Sequence, residues 1–498
     1  MEIHGTKPVN PHLVGSDVAN VATPNTAYKE MEKKWELVEA LRGGTETMRE
    51  KGHEYLPQEP RESEDAYTVR LNRTELYNLY NRTLTALTGI AFTKPVNVSN
   101  VPPELEYLQT DADGTGRSLN EIAYEMAIDC LHYGKTHLLT DFPETTGAKN
   151  LSEFRRAGYR PYFNQINPTR MIGWEIERGV GKPVLSNVRI IEPKVVPRRD
   201  NKWNEKLVWY VRVIRPNLTE VHVYDPEDDE PSFRLEKEVK NTLGYIPITT
   251  SYSVKTGFFQ SAPALYDLAR MNLLHWQSSS DQRNILHVAR VPFIFASGFD
   301  EGELDDAEIG ASRMIVSTRA DATMKFVEHT GQAIEAGHKD LKEIENHMAT
   351  LGADLLLSKG ASRVTATARR IDQNESMSIL QMALRGIENM IEKSYIIAGE
   401  WLGVDASEVT VSIGDDMSVA NEPNPTSALI ALKDSGLLTD EQLIQEAKRT
   451  GVLSSYMKLD PNRPAAKKQQ AEEQEVEEQE DDPSTESTEI DDDEQAVE

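Results

Sequence analysis

Residues 332–357 read QAIEAGHKDLKEIENHMATLGADLLL, and the apolar positions Ile334, Leu341, Ile344, Met348, Leu351 and Leu355 follow one another at spacings of 7, 3, 4, 3 and 4. That recurrence puts all six on one side of an α-helix. It predicts a rod of roughly 40 Å that packs against another helix along its whole length. Beyond the break Ser358-Lys-Gly-Ala-Ser362, a second long helix is expected from about Ala368 to Leu402, with Met377, Leu380, Leu384, Ile387 and Ile391 repeating the 3-4-3-4 spacing. Together the seams offer more apolar surface than a lone subunit is expected to cover. Leu341, Ile344, Met348, Leu351, Leu355, Met377, Leu380, Leu384, Ile387 and Ile391 are therefore read as subunit-packing residues, within and between copies of the chain.

Upstream of the first seam lies a helix expected to start at Ser261, which can cap open N–H groups, with Pro263 in the first turn, and to run to about Val288. It carries Leu265, Leu268, Met271 and Leu274, then an unusually polar half, Gln277-Ser-Ser-Ser-Asp-Gln282. Between these helices the sequence predicts strands at 291–296, 314–316 and 324–327 around an acidic turn at 300–309. From about Pro161 to Tyr252, short β-rich runs separated by Pro, Gly, Asn and Asp predict an antiparallel meander with strands near 188–191, 207–214, 221–224, 233–235 and 246–250. The N-terminal part is read as helices over 26–52, 66–92 (with Leu76, Leu79, Leu84, Leu87 and Ile90) and Ser118 to Tyr133, the last ended by Gly134 and followed by a strand at 137–140. Past 402 come a strand at 409–413 and short helices at 426–434 and 439–450, the latter capped by Thr439. The class is α+β and mainly helical.

Composition narrows the function. The chain has 498 residues, 38% hydrophobic and 27% charged, which is length for two to four domains. Its 82 acidic against 54 basic side chains give a net charge of −28; fifteen acids and no Lys or Arg fall in 471–498, leaving −13 on the rest. With so few apolar residues, 465–498 is expected to be a disordered acidic tail. No run approaches the roughly 20 apolar residues of a membrane span, and Met1 to Asn10 lacks the layout of a signal peptide. Cys130 stands alone, so an intramolecular disulfide or a Cys-based zinc site is excluded.

Catalytic signatures are poor. Gly181-Lys182-Pro183 lacks the preceding glycine and following Ser or Thr of a phosphate loop. Asp111-Ala-Asp113-Gly-Thr-Gly116 opens like a calcium loop, but its twelfth position is Ile122 instead of a bidentate Glu, so it reads as a turn. His338 and His347 are nine residues apart, on opposite faces of one helix. Neither a H-E-x-x-H pair nor a G-x-S-x-G elbow is present. No catalytic residue, metal or cofactor is expected. Lys359, Arg363, Arg369 and Arg370 cluster around the break between the long helices. They serve either as cations near a helix C-terminus or as a few contacts for a phosphate backbone; a broad basic face for tight nucleic-acid binding is absent.

The order of these elements resembles the portal proteins of tailed bacteriophages and related dsDNA viruses. The resemblance rests on Gly244-Tyr-Ile-Pro247 leading into Ser261-Ala-Pro-Ala-Leu-Tyr-Asp-Leu-Ala-Arg-Met-Asn-Leu-Leu-His-Trp-Gln-Ser-Ser-Ser-Asp281, the small α/β insertion, and the two long helices around Ser362-Arg-Val-Thr-Ala-Thr-Ala368. It also touches Asn81-Arg-Thr-Leu-Thr-Ala-Leu-Thr-Gly89 and Lys94-Pro95, and covers about 25–455. The likeness implies an N-terminal arm (1–25), a wing of helices and β meander (26–260), a stem helix (261–288), a clip (289–330), a second stem helix (331–357), a tunnel loop (358–367), a wing spine helix and strand (368–419) and a crown (420–464), before the tail.

Portals form a ring, usually of twelve subunits, at one capsid vertex of the virion after assembly in the host cytoplasm. The resemblance thus implies as partners the terminase large subunit, a head-tail adaptor protein, the major capsid and scaffold proteins, and dsDNA passing through the channel, with no membrane. The tunnel-loop residues would be Lys359, Arg363, Arg369 and Arg370. The clip's partner surface would be Asp300, Glu301, Glu303, Asp305, Asp306 and Glu308, an acidic run suited to steering a basic partner. An acidic conduit with few cations lets a duplex slide where a basic one would hold it. The competing readings are another phage head protein without a channel, such as a minor capsid or scaffold-binding protein, and a metal-dependent nuclease, for which no clustered carboxylates speak.

Overall fold

The computed structural model describes residues 20–142, 159–177, 183–198, 203–228, 231–290, 293–298, 321–327, 331–353 and 366–414, with 433, 439, 442 and 443; side chains are described for fewer, those of 366–378 being left out. The chain divides into two units, Met1–Gly414 and Asp415–Glu498. In the second, the Thr439 hydroxyl accepts from Gln442 N–H while the Gln442 side chain accepts from Thr439 N–H, the reciprocal cap that a Thr three residues before Gln encodes.

The first unit is a mixed α+β fold with antiparallel sheets. It opens with α1 (Thr26–Lys51), capped by Asn25, whose side chain accepts from Tyr28 N–H, and kinked at Gly44 (φ 82°). The stretch read as one helix over 66–92 is two, α2 (Glu64–Arg73) and α3 (Leu79–Ala91). The Thr74 hydroxyl donates to Arg70 O, and Asn78 starts α3 by accepting from Asn81 N–H, so Leu76 lies in the turn between them. Strand β1 (Asn97–Ser99) follows, then α4 (Leu119–Tyr133), where expectation and structure coincide: Ser118 and Glu121 form a capping box, and Gly134 closes the helix in the left-handed region, φ 86°.

Chain direction then reverses into β2 (Lys135–Asp141), the centre of a three-stranded sheet ordered β3 (Tyr162–Ile166), β2, β9 (Ile248–Tyr252). The meander is a separate five-stranded sheet of β4 (Met171–Glu177), β5 (Val184–Pro197), β6 (Glu205–Ile214), β7 (Leu218–Tyr224) and β8 (Arg234–Lys240), paired in chain order. The strand expected at 246–250 therefore belongs to the other sheet, and β3 and β4 were not signalled by the sequence. A two-stranded ribbon, β10 (Lys255–Gly257) and β11 (Gln260–Ser261), leads to α5 (Tyr266–Ala289), which starts five residues after the expected cap. Ser261 caps a different helix end: its hydroxyl and Trp35 Nε1 both donate to Tyr133 O, an open carbonyl at the end of α4.

The remaining described elements are the hairpin β12 (Phe293–Ser297) and β13 (Thr323–Val327), α6 (Gln332–Met348) ending in a π turn at Ala349–Ala353, α7 (Ala366–Leu402), and β14 (Thr410–Ser412), which pairs with β1. Residues 300–309 and 314–316, residues 358–365 of the tunnel loop, most of the crown and all of the tail lie outside the described residues.

Two buried polar side chains of this core show how partners are found, whereas Trp276 Nε1, His137 Nε2 and the Tyr395 hydroxyl are buried without a hydrogen-bond partner among the described residues. His132 is fully buried, with Nε2 3.2 Å from Glu39 Oε1 and Nδ1 2.8 Å from the Tyr80 hydroxyl. Burial lowers its pKa while its hydrogen bond and that of Tyr133 help hold the Glu39 carboxyl below its ordinary value. A neutral ring donating from Nε2 to Glu39 and accepting the Tyr80 proton at Nδ1 satisfies all three groups.

Lys135 is buried on β2, with Nζ donating to Phe259 O at 2.7 Å and lying 5.0 and 5.5 Å from the ring centroids of Trp174 and Trp35. Desolvation outweighs the attraction of these rings and pushes the ammonium from 10.5 down to about 7. Between those two values the unfolded chain binds the proton that the folded one has lost, so this residue makes stability rise with pH, by at most about 1.4 kcal/mol per pH unit. Urea unfolding of the wild type and Lys135→Met at pH 6, 8 and 9.5 checks this. The wild type should gain on the variant from pH 8 to 9.5 and hold a constant offset at and below pH 6; an offset independent of pH throughout would mean that Lys135 stays charged.

Candidate functional site

The elements with a distinctive order are α5, the β12–β13 hairpin, α6 and α7. The last turn of α5 leads toward β12, the hairpin returns the chain, and α6 packs back on α5. The seam of α6 meets α5 as its spacing demands, with Ile344 and Met348 buried and Leu341 half-buried. Gly337 sits on that contact face: a Cβ there would overlap Oε1 of Gln282 and lie 3.0 Å from its Cδ, so its absence lets α5 and α6 approach, with Gln282 Nε2 donating to Ile334 O at 2.8 Å.

The polar half of α5 also has a purpose in the packing. Ser280 is 1% exposed and lies at the centre of a network with α2. Its hydroxyl donates to Thr74 Oγ1 at 2.8 Å, whose own proton goes to Arg70 O, and its Oγ accepts from Arg70 Nη1 at 3.3 Å. Arg70, 3% exposed, grips Glu62 through Nε and Nη2, both at 2.8 Å, and donates to Pro57 O at 2.8 Å. This two-pronged hydrogen bond holds the Glu62 carboxyl below its ordinary range. Asp281 at the rim, 3.8 Å from Arg70, is shifted the other way, upward, because burial outweighs that attraction. Gln277 Nε2 donates to Tyr55 O at 3.0 Å. One side of the polar run thus ties α5 to the N-terminal helices.

At the far end of the pair, β12 and β13 align Phe293 with Val327 and Ser297 with Thr323. Direct partners share a face, so Phe295 stands beside Lys325, and Phe295 is 57% exposed. A two-stranded ribbon has little stability of its own.

Of the packing residues read from the sequence, Ile344, Met348, Leu380, Leu384, Ile387 and Ile391 are buried by the chain itself, and Leu351 is 41% exposed. This corrects the inference that both seams need another copy: α4, β2, β9 and β14 cover α7 from within the subunit. Leu355 lies outside the described residues, and Met377 is placed on α7 without a described side chain. Arg369 and Arg370 lie in the first turns of α7, and nothing is described of their side chains. Lys359, Arg363 and the clip acids Asp300, Glu301, Glu303, Asp305, Asp306 and Glu308 lie outside the described residues. His338 and His347 are exposed on α6. Asp111 and Asp113 form the expected turn. Asp111 accepts from Gly116 N–H and pairs with Arg160, and Asp113 accepts from Thr115 N–H and Arg117 Nε. Arg70, Glu62 and Gly337 were not singled out by the sequence reading; a glycine on the packed face of an amphipathic helix was the available signal for close approach.

A sequence family described as a domain of unknown function, DUF4055, matches residues 264–402, the span from the start of α5 to the end of α7. No curated protein matches the chain. Among solved structures, a chain from the "Neck of empty GTA particle computed with C6 symmetry" is similar at 12% identity and a TM-score of 0.39, over 77% of this chain and 88% of that one. A chain from the "Neck of native GTA particle computed with C12 symmetry" has 13% identity and a TM-score of 0.36, over 76% and 87%. Likeness at that level does not establish a shared fold. Among the described residues, no helix is long and apolar enough to cross a membrane and no His, Cys, Asp and Glu group could hold a metal ion.

Proposed function

We propose that the chain is the subunit of a portal-type ring at a capsid vertex of a tailed phage or phage-like particle. In this reading dsDNA is driven through the ring by the terminase, and the clip later holds the head-tail adaptor. The order α5, hairpin, interruption-flanked α6 and α7 supports it, beside the sequence resemblance. The observation carrying it furthest is the pair of packed antiparallel helices ending in a ribbon whose Phe295 is 57% exposed, a projection suited to burial against neighbouring copies. The role asks no bond chemistry of this chain: it positions partners and lets a duplex pass. Lys359 and Arg363 would touch passing phosphates, each contact weak in salt and effective through repetition around the ring. In a particle assembled with Lys359→Ala/Arg363→Ala, head assembly should be normal and the packaged or retained DNA, measured by genome quantitation, reduced. A full genome held normally would leave those cations only a helix-end role.

A further inference from the structure

Strand β9 is the end strand of its sheet, so one of its edges has no strand partner among the described residues. Thr140 N–H bonds Pro247 O at 3.0 Å and Ser253 N–H bonds Gly134 O at 3.1 Å. By the alternation of an antiparallel ladder, Thr249 and Ser251 then bond toward β2, and the N–H and C=O groups of Thr250 and Tyr252 point outward. Helix α7 crosses the face carrying Thr249 and Ser251, with Thr249 Oγ1 3.0 Å from Ser394 Oγ. It comes this close because Gly386 has no side chain: a Cβ there would overlap Ser251 Oγ and lie 3.4 Å from Ser251 Cβ.

What remains between strand edge and helix is an open groove of about 430 Å³, floored by Ile248–Tyr252 and walled by Gly386, Asn389, Met390 and Lys393. Of the lining residues Asn389 and Lys393 are exposed, and Arg385, also exposed, lies one turn before Asn389 on the same side of α7. Neither Arg385 nor Lys393 forms an ion pair with a described residue, although the chain carries a net charge of −28. Met382, 60% exposed, and Ile396, 37% exposed, flank this stripe. Glu400 lies beyond, bound to the Tyr245 hydroxyl, so the basic stretch is bounded at that end.

We propose that this groove receives an extended acidic segment of a partner protein, which adds as a fourth strand to the outer edge of β9 and places carboxylates on Arg385 and Lys393. Main-chain bonds to Thr250 and Tyr252 give the affinity, and the two cations give the selectivity. Spacing makes the recognition specific. Eight helical residues set Arg385 and Lys393 about 12 Å apart along α7, and about 13 Å separates strand residues four apart, so acids at i and i+4 of the segment, on one face, meet both cations.

The test uses the full-length protein and the synthetic peptide acetyl-TEVTVET-amide, whose acids are four apart, read by fluorescence polarisation and by hydrogen exchange. The peptide should bind and slow exchange of the Thr250 and Tyr252 amides. N-methylating its strand-facing nitrogens, which leaves the protein untouched, should weaken binding about tenfold or more. The surface variant Arg385→Glu/Lys393→Glu should weaken it about tenfold and prefer the peptide with Lys in place of Glu. No binding at millimolar peptide, binding that leaves both amides unprotected, or indifference to N-methylation would each overturn the proposal.

Discussion

Gly134→Ala is expected to lower the stability of the protein by about 3–5 kcal/mol, enough to leave much of it insoluble on expression. Two independent costs add at this residue. An alanine at φ 86° sits in the left-handed region, worth about 1–2 kcal/mol. Its Cβ would overlap the Ala262 carbonyl oxygen and fall 2.6 Å from the carbonyl carbon and 2.9 Å from the Ala262 nitrogen, all backbone atoms in the segment leading to α5. That segment is fixed from both sides: Ser253 N–H donates to Gly134 O, Ser261 Oγ to Tyr133 O and Ala264 N–H to Leu131 O. Gly331→Ala is the control, since its φ of 79° and ψ of −18° place it in the same left-handed region and nothing lies within 4 Å of the new Cβ; it should lose only about 1 kcal/mol. Urea unfolding of both variants measures the difference. Equal losses would mean that the 262 segment yields and the junction is not rigid.

Arg70→Met is expected to cost about 3–5 kcal/mol, because the Glu62 carboxylate, 9% exposed, is left without its cation while Pro57 O and Ser280 Oγ each lose a donor. Most of this reflects the stranded partner, so Arg70→Met/Glu62→Leu should recover more than half of the loss. A double-mutant cycle from unfolding midpoints decides. If Arg70→Met alone loses under about 1 kcal/mol, solvent reaches the pair and the tie between α2 and α5 is weak.

The sequence exposed those parts of the fold that local chemistry controls and hid those that distant partners control. Ser118 with Glu121 and the left-handed Gly134 bound α4 on both sides, and both signals are local. The long helices α5 and α7 and the hairpin strands were visible through periodicity. The 66–92 stretch was read as one helix because Leu76 and Leu79 keep a three-residue spacing across a turn that Thr74 and Asn78 create by bonding their neighbours. Ser261 looked like a helix cap, yet its hydroxyl serves Tyr133, 128 residues away. Periodicity says that a face is covered and not by what: the Leu380, Leu384, Ile387 and Ile391 seam looked like a demand for another copy and is filled by the chain's own strands and α4. The polar run of α5 gave no hint of Arg70, 210 residues from Ser280. The groove along β9 was equally invisible, since it arises where a sheet ends beside a helix that Gly386 lets in close.

The central claim is that copies of this chain close into a ring. Native mass spectrometry of the full-length protein, near neutral pH and across a range of concentrations, tests it most directly. The account predicts one dominant closed species of about twelve times the chain mass, with the ladder of intermediate sizes sparsely populated, as closed cyclic symmetry requires. A stable monomer at every concentration, or an open series of sizes without a preferred closure, would contradict it.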